Sequence, residues 1–281
     1  MVFIHVLRVK CEPLEQSDFL AKQLDSVEVI SQAIKAKPTA DVGRGSEWHL
    51  GNIQEIEKED AVGFAMGRTA MVTSPRFDET THDFLEEETK RAPFTLGIFD
   101  QRHQACGIIR KPGVSQNATE IAAKLQTLLN ATRFPRESNA KIIVDPVRDP
   151  TSFIEALQTA SAVTRFSFYA SRPNPHDVNR LIQRPAEEFT QAAGGERTKV
   201  EVEGEDLDRQ VLTDLSQAVA AVGETATANV RPEPCARTKR IHLAGNPVSE
   251  PVAIDDARGL LFRMLEATRE AYDRVRNARL G

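Results

Sequence analysis

Residues 163–175 read VTRFSFYASRPNP, and the fold of the second half of the chain turns on this stretch. Side chains alternate across a β-strand. As a strand, it places Thr164, Phe166, Phe168 and Ala170 on one face and Val163, Arg165, Ser167, Tyr169 and Ser171 on the other. The phenylalanine face belongs in a core. The opposite face sets out a guanidinium, hydroxyls and a phenol in a row, groups suited to phosphate contact and base stacking. A plainer reading stands beside it, in which Tyr169 packs under a helix and Arg165 pairs across the sheet with Glu201 or Glu203. Beyond the strand, Asn174 suits a helix cap, Pro175 the first helical position and Asp177 the first turn. A helix ended by Gly194-Gly195 is therefore expected to follow. That explanation leaves Arg172, Arg180 and Arg184 without a structural role.

Working outward, the second half alternates further strands and helices. AKIIVDP (140–146) is an apolar strand, Pro150 opens the helix TSFIEALQTA, and RTKVEVEG (197–204) is a strand. LDRQVLTDLSQAVAAVG is a helix ended by Gly223, and TATANVRPE with ARTKRIHLAG forms a hairpin. LAGNPV (243–248) has the composition of a turn. A helix starting at Asp255 or Asp256 runs almost to the end, with Leu261, Met264, Leu265, Tyr272 and Val275 along an apolar stripe. In the first half, VFIHVLRV alternates as a strand does, and SDFLAKQLDSVEVISQAI is a helix with Ser17 or Asp18 as its cap. EWHLGNIQEIE and AVGFAMGRTAMV read as strands, DETTHDFLEEETKR as a short polar helix, and PFTLGIFD with QACGIIRK as a hairpin. NATEIAAKLQTLLNATRF is an amphipathic helix, and FPRESNA breaks the pattern. The expected fold is α+β, with two mixed domains, residues 1–136 and 137–281, each a mainly antiparallel or mixed sheet with packed helices.

Composition narrows the function. The chain has 281 residues, 40% hydrophobic and 27% charged, with a net charge of −5, the composition of a folded globular protein. The opening MVFIHVLRVK lacks the long apolar centre of a signal peptide and the length of a membrane span, so a cytoplasmic protein with no membrane insertion is expected. Cys11, Cys106 and Cys235 stand far apart and read as free thiols. Neither half is basic, with 17 Lys and Arg against 19 Asp and Glu up to residue 136, and 19 against 22 after it. Nucleic-acid binding would therefore rest on a local patch and depend strongly on salt.

No catalytic motif emerges. Gly43-Arg44-Gly45 lacks the third glycine or Lys-Ser/Thr of a phosphate loop, and the six histidines include no pair at three- or four-residue spacing. No cofactor is implied. A metal-dependent nuclease could use Glu201 and Glu203 on one strand face, or Glu88 in Glu88-Thr89-Lys90, but both patterns also suit a solvated surface. The basic residues cluster at Arg231, Arg237, Lys239, Arg240 and His242 on the second hairpin. Such a hairpin can lie along a phosphate backbone, or simply protect a sheet edge. The candidate nucleic-acid contacts are Arg165, Tyr169, Arg172, Arg237, Lys239 and Arg240.

VTRFSFYASRPNP, the turn VEGEDLD and the basic hairpin ending in LAGNPV resemble a bacterial family encoded among prophage and defence-associated genes. The order of elements, including the hairpin FTLGIFDQRHQACGIIRK, is similar to phage-exclusion proteins of the RexA type and to the DNA-binding component of the Kiwa antiphage system. The resemblance implies a homodimeric DNA-binding protein in antiviral defence or prophage maintenance, without a small-molecule cofactor, and carries no catalytic residue over. Two alternatives stay open: a toxin-like metal-dependent nuclease, and an interaction module that titrates a phage or host factor through the last helix.

Overall fold

A computed structural model describes residues 1–14, 25–42, 47–171, 183–193, 195, 197–243, 245–253 and 257–277. The first half contains β1 (Val2–Pro13), α1 (Ser26–Lys35), β2 (Thr39–Asp41), β3 (Glu47–Ile56), β4 (Ala61–Arg68), β5 (Ala70–Asp78), β6 (Asp83–Arg91), β7 (Phe94–Asp100), β8 (Ala105–Ile109), α2 (Ala118–Asn130) and α3 (Arg133–Glu137). The second contains β9 (Ala140–Pro146), α4 (Thr151–Thr159), β10 (Ala162–Ser171), α5 (Gln183–Ala192), β11 (Arg197–Glu203), α6 (Arg209–Ala221), β12 (Ala226–Arg231), β13 (Lys239–His242), β14 (Ser249–Val252) and α7 (Ala257–Asn277). The fold is α+β, and the named strand pairs are antiparallel.

The larger sheet runs β14-β1-β8-β7-β4-β3-β2. Strand β1 organises it: Ile4 pairs with Ile109 of β8 and Glu250 of β14, and Leu7 with Cys106 of β8 and Pro146 of β9. Strands β14 and β9 thus follow one another along the same edge of β1. Sequence position 136 falls inside α3, yet β9 and β14 from beyond it complete the sheet begun by β1. The polar residues His5, Arg8 and Lys10 of β1 are buried along with the apolar ones from Ile4 to Cys11, because helical layers cover both faces of the strand. Leu7, Val9 and Cys11 pack with α1 and α2, while Ile4 and Val6 join the core shared with α7, α6 and the smaller sheet.

Local signals account for several helix starts. Asp25 accepts from Glu28 N, Asn117 from Thr119 and Glu120 N, and Asp208 from Val211 N, each satisfying orphan amides of a first turn. Asp25 replaces Ser17 or Asp18 as the cap of α1; those two lie outside the described residues. The stripe of α7 is covered by the body of the protein: Leu261, Met264, Leu265, Tyr272 and Val275 are buried. Gly107 lets this helix close on β8, since a Cβ there would lie 2.2 Å from Thr268 Oγ1. Among the described residues, no helix is long and apolar enough to cross a membrane.

Two expectations need correction. DETTHDFLEEETKR does not form a helix; it turns from β5 into β6, an extended two-stranded hairpin. Asp78 makes the turn, accepting from the amides of Thr80 and Thr81 at 2.8 and 3.3 Å, while His82 takes a left-handed conformation. LAGNPV is more than a turn: Pro247 bridges Arg148, and Val248 N donates to Val147 O, so the segment crosses the chain between β9 and α4.

Candidate nucleic-acid interface

The smaller sheet runs β11-β10-β12-β13. Its inner face carries Phe166, Phe168, Ala226, Ala228 and Val230, buried against α4 and α6. The outer face is set by register. One row reads Glu203, Arg165, Asn229 and Arg240, and the next Glu201, Ser167, Thr227 and His242. Tyr169 stands opposite Lys199 in a third. Ser167 and Thr227 join their hydroxyls at 2.8 Å in the middle of the face.

The opening strand departs from simple alternation at its start. Its pairing with β12 slips between Val163 and Arg165, so Val163 meets Val230 and is fully buried, while Arg165 meets Asn229 on the outer face. A bulge inserts one extra residue and so resets which side chains share a face. Asp206 steadies the bulged end by accepting from Val163 N at 3.0 Å; that backbone hydrogen bond holds its carboxyl below the usual range.

The sequence-predicted contacts divide sharply. Arg165 lies between two acids, 3.6 Å from Glu201 and in an ion pair with Glu203. Lys199 also binds Glu201, and this hydrogen bond, with Arg165 nearby, lowers the Glu201 carboxyl pKa. The two glutamates considered for a metal site are thus committed to cations. Among the described residues, no group of three or more His, Cys, Asp or Glu side chains is placed to hold a metal ion. Tyr169 is 39% exposed on the outer face. Arg172 lies outside the described residues.

The hairpin is different. Arg237, Lys239, Arg240 and His242 are exposed, and none forms an ion pair with another described residue. Strand β13 is the outermost of its sheet, paired only with β12 among the described residues. Arg240 and His242 share the outer face with Arg165, whereas Lys239 pairs with Val230 and points with Ile241 toward the inner side. Arg237 precedes the strand in the connecting loop. The sheet therefore unites Arg165, Tyr169 and Arg240 on one face, and Arg237 and Lys239 flank its edge.

A second polar group, absent from the sequence-based candidates, lies where α7 meets the larger sheet. Asp100 at the end of β7 is fully buried and accepts from His103 Nδ1 at 2.6 Å and Arg269 Nη2 at 2.9 Å. Arg269 also reaches Glu59 at 2.9 Å, and His103 lies 3.6 Å from Asp273. Burial alone would raise the Asp100 pKa, but the hydrogen bonds from His103 and Arg269 prevail and lower it. The bond to Asp100 raises the pKa of His103 above its ordinary value. Nearby, Lys10 is buried on β1 and pairs with Asp145 at 3.2 Å and Glu224 at 3.6 Å. These charges anchor α7 and α6 to the sheet. The signal in the sequence was only the charge on β1 and α7, because the partners are up to 214 residues apart, from Lys10 to Glu224.

No protein-family model and no curated protein matches the chain.

Proposed function

We propose that this protein binds nucleic acid, DNA in preference to RNA, along the β12–β13 hairpin, and acts without catalysis in antiphage defence or prophage maintenance. The observation that supports the reading is the basic edge: Arg237, Lys239 and Arg240 are exposed and form no ion pair with another described residue, on a chain whose net charge is −5. Cations without internal partners release counterions when they meet phosphates, and this drives association. Tyr169, on the same face as Arg240, offers a ring for a base to stack on. The setting in defence or prophage maintenance rests on the resemblance of VTRFSFYASRPNP, VEGEDLD and the basic hairpin.

On this reading Arg165 is withheld by its two glutamates, which also repel phosphate. Replacing Glu201 and Glu203 together with glutamine frees the guanidinium, and affinity for a labelled oligonucleotide at low salt is expected to rise roughly threefold or more. Fluorescence anisotropy with duplex and single-stranded DNA and with RNA reads the change. An unchanged or lower affinity would remove the outer face from the interface. Incubating the same substrates with magnesium, and then with chelator, assigns any chelator-sensitive cleavage to the nuclease alternative.

A further inference from the structure

The β5–β6 hairpin forms a two-stranded sheet of its own. Apart from Ala70, Ser74 and Asp78, its side chains described on both strands are exposed, and no other strand pairs with it among the described residues. Nine paired positions extend it roughly 30 Å. An isolated two-stranded ribbon is marginal in water, and this one exposes large apolar groups. Phe84 is 80% exposed and packs at a tilt against Phe77, ring centroids 5.2 Å apart, while Leu85 is 48% and Met71 60% exposed. Open edges of this kind are ordinarily covered or blocked.

Charge limits what can cover it. Residues 70–91 contain six acids, Asp78, Glu79, Asp83, Glu86, Glu87 and Glu88, against Arg76, Lys90 and Arg91. Two such ribbons side by side would bring like charges together, which is unfavourable. Strand β13 is another open edge, and on it Lys239 and Arg240 are exposed and form no ion pair with another described residue. Aligning β6 antiparallel to β13 with Glu86 opposite Arg240 brings four successive pairs into register: Phe84 with His242, Leu85 with Ile241, Glu86 with Arg240, and Glu87 with Lys239. Alternation keeps Glu86 and Arg240 on one face, and Leu85 and Ile241 on the other. Glu86 with Arg240 and Glu87 with Lys239 are complementary in charge, Leu85 with Ile241 is apolar, and Phe84 with His242 is an aromatic pair.

We propose that two copies of this chain associate by strand addition, the β6 edge of each arm pairing with the β13 edge of the other copy in that register. Each copy supplies one arm and one acceptor strand, so a reciprocal two-fold exchange forms the same contact twice and closes. The association and nucleic-acid binding draw on the same Lys239 and Arg240 and exclude each other at that edge, so neither rests on the other. The association is measured on protein freed of nucleic acid, so either reading can fail while the other stands.

The test is sedimentation equilibrium of the full chain and two charge-reversed forms, with circular dichroism as the check on folding. Wild type is expected to be a dimer. Glu86→Arg with Glu87→Lys reverses the arm, and Lys239→Glu with Arg240→Glu reverses the acceptor; each alone is expected to weaken dimerisation about tenfold or more. Mixing the two reversed forms restores complementarity at both contacts, so a heterodimer should form. A monomeric wild type, an arm-reversed form as dimeric as wild type, or a mixture of folded variants that stays monomeric overturns the proposal. As a second readout, Phe84→Cys with His242→Cys in a Cys235→Ser background should give a disulfide-linked dimer on oxidation, since facing Cα atoms in adjacent antiparallel strands lie about 4.5–5.5 Å apart. Absence of that crosslink in the folded variant counts equally against the register.

Discussion

Replacing Asp100 with asparagine leaves Arg269 and His103 facing a neutral amide at a position without solvent access. The wild-type carboxylate is fully buried and accepts from His103 at 2.6 Å and Arg269 at 2.9 Å. Removing one member of a buried ion pair costs about 3–5 kcal/mol, because the remaining charge stays desolvated. Asparagine keeps one acceptor oxygen and Arg269 keeps Glu59, so the low end, about 3 kcal/mol, is the expected loss. For a chain of this length that lowers Tm by roughly 6–12 °C. Urea and thermal unfolding followed by circular dichroism measure both quantities. A cycle with Arg269→Gln tests the cause: the double variant should be less destabilised than the sum of the singles by at least about 1 kcal/mol. Asp100→Asn within about 0.5 kcal/mol of wild type, or strict additivity with Arg269→Gln, would refute the anchoring role. The pH dependence follows from the directions of the shifts. The His103 pKa is raised by Asp100, so its contribution is complete below the unfolded value near 6.5 and is lost as pH rises through the folded one. The lowered Asp100 pKa acts in the opposite sense: its contribution is present above the unfolded value near 3.9 and is lost as pH falls through the folded one.

Two further outcomes follow from buried geometry. Gly223 has φ +78° and a Cβ there would lie 2.5 Å from Asp145 Cβ, so Gly223→Ala should cost roughly 1–3 kcal/mol in urea unfolding; a neutral substitution would contradict the observed close approach. Burial pushes the Cys11 thiol up to about 12 and raises Cys106 further still, whereas Cys235 is exposed. A thiol reagent at neutral pH should therefore titrate one cysteine in the folded protein and three after denaturation; rapid reaction of a second thiol in the native state would be inconsistent with this packing.

What the sequence disclosed follows the range of the interaction involved. The strand at 163–171 and the hairpin at 226–242 were legible because each buries one face, so phenylalanines, alanines and valines recur at every second residue. Strand β6 was misread because it buries no face; without an apolar period, its charged residues looked like a solvated helix. Both fates of Arg165 could be named, but choosing between them needed the register that places it beside Glu203. The bulge at Val163 was invisible for the same reason, since it depends on the pairing partner. Longer-range relations were less accessible still: the placement of β14 and β9 on β1, and of Arg269 on Asp100, arises from tertiary packing. The basic hairpin was found by composition and alternation parts Lys239 from Arg240, yet only the sheet shows that Arg240 shares its face with Arg165.

The central claim is that Arg237, Lys239 and Arg240 contact phosphates. It is tested most directly by measuring the affinity for one labelled DNA duplex over a series of salt concentrations, for wild type and for the variant with all three replaced by alanine. Each lost phosphate contact removes about 0.9 from the slope of log K against log salt. The variant slope should therefore be shallower by roughly 2–3, with weaker binding at low salt. A folded triple variant with the wild-type affinity and slope would contradict the account.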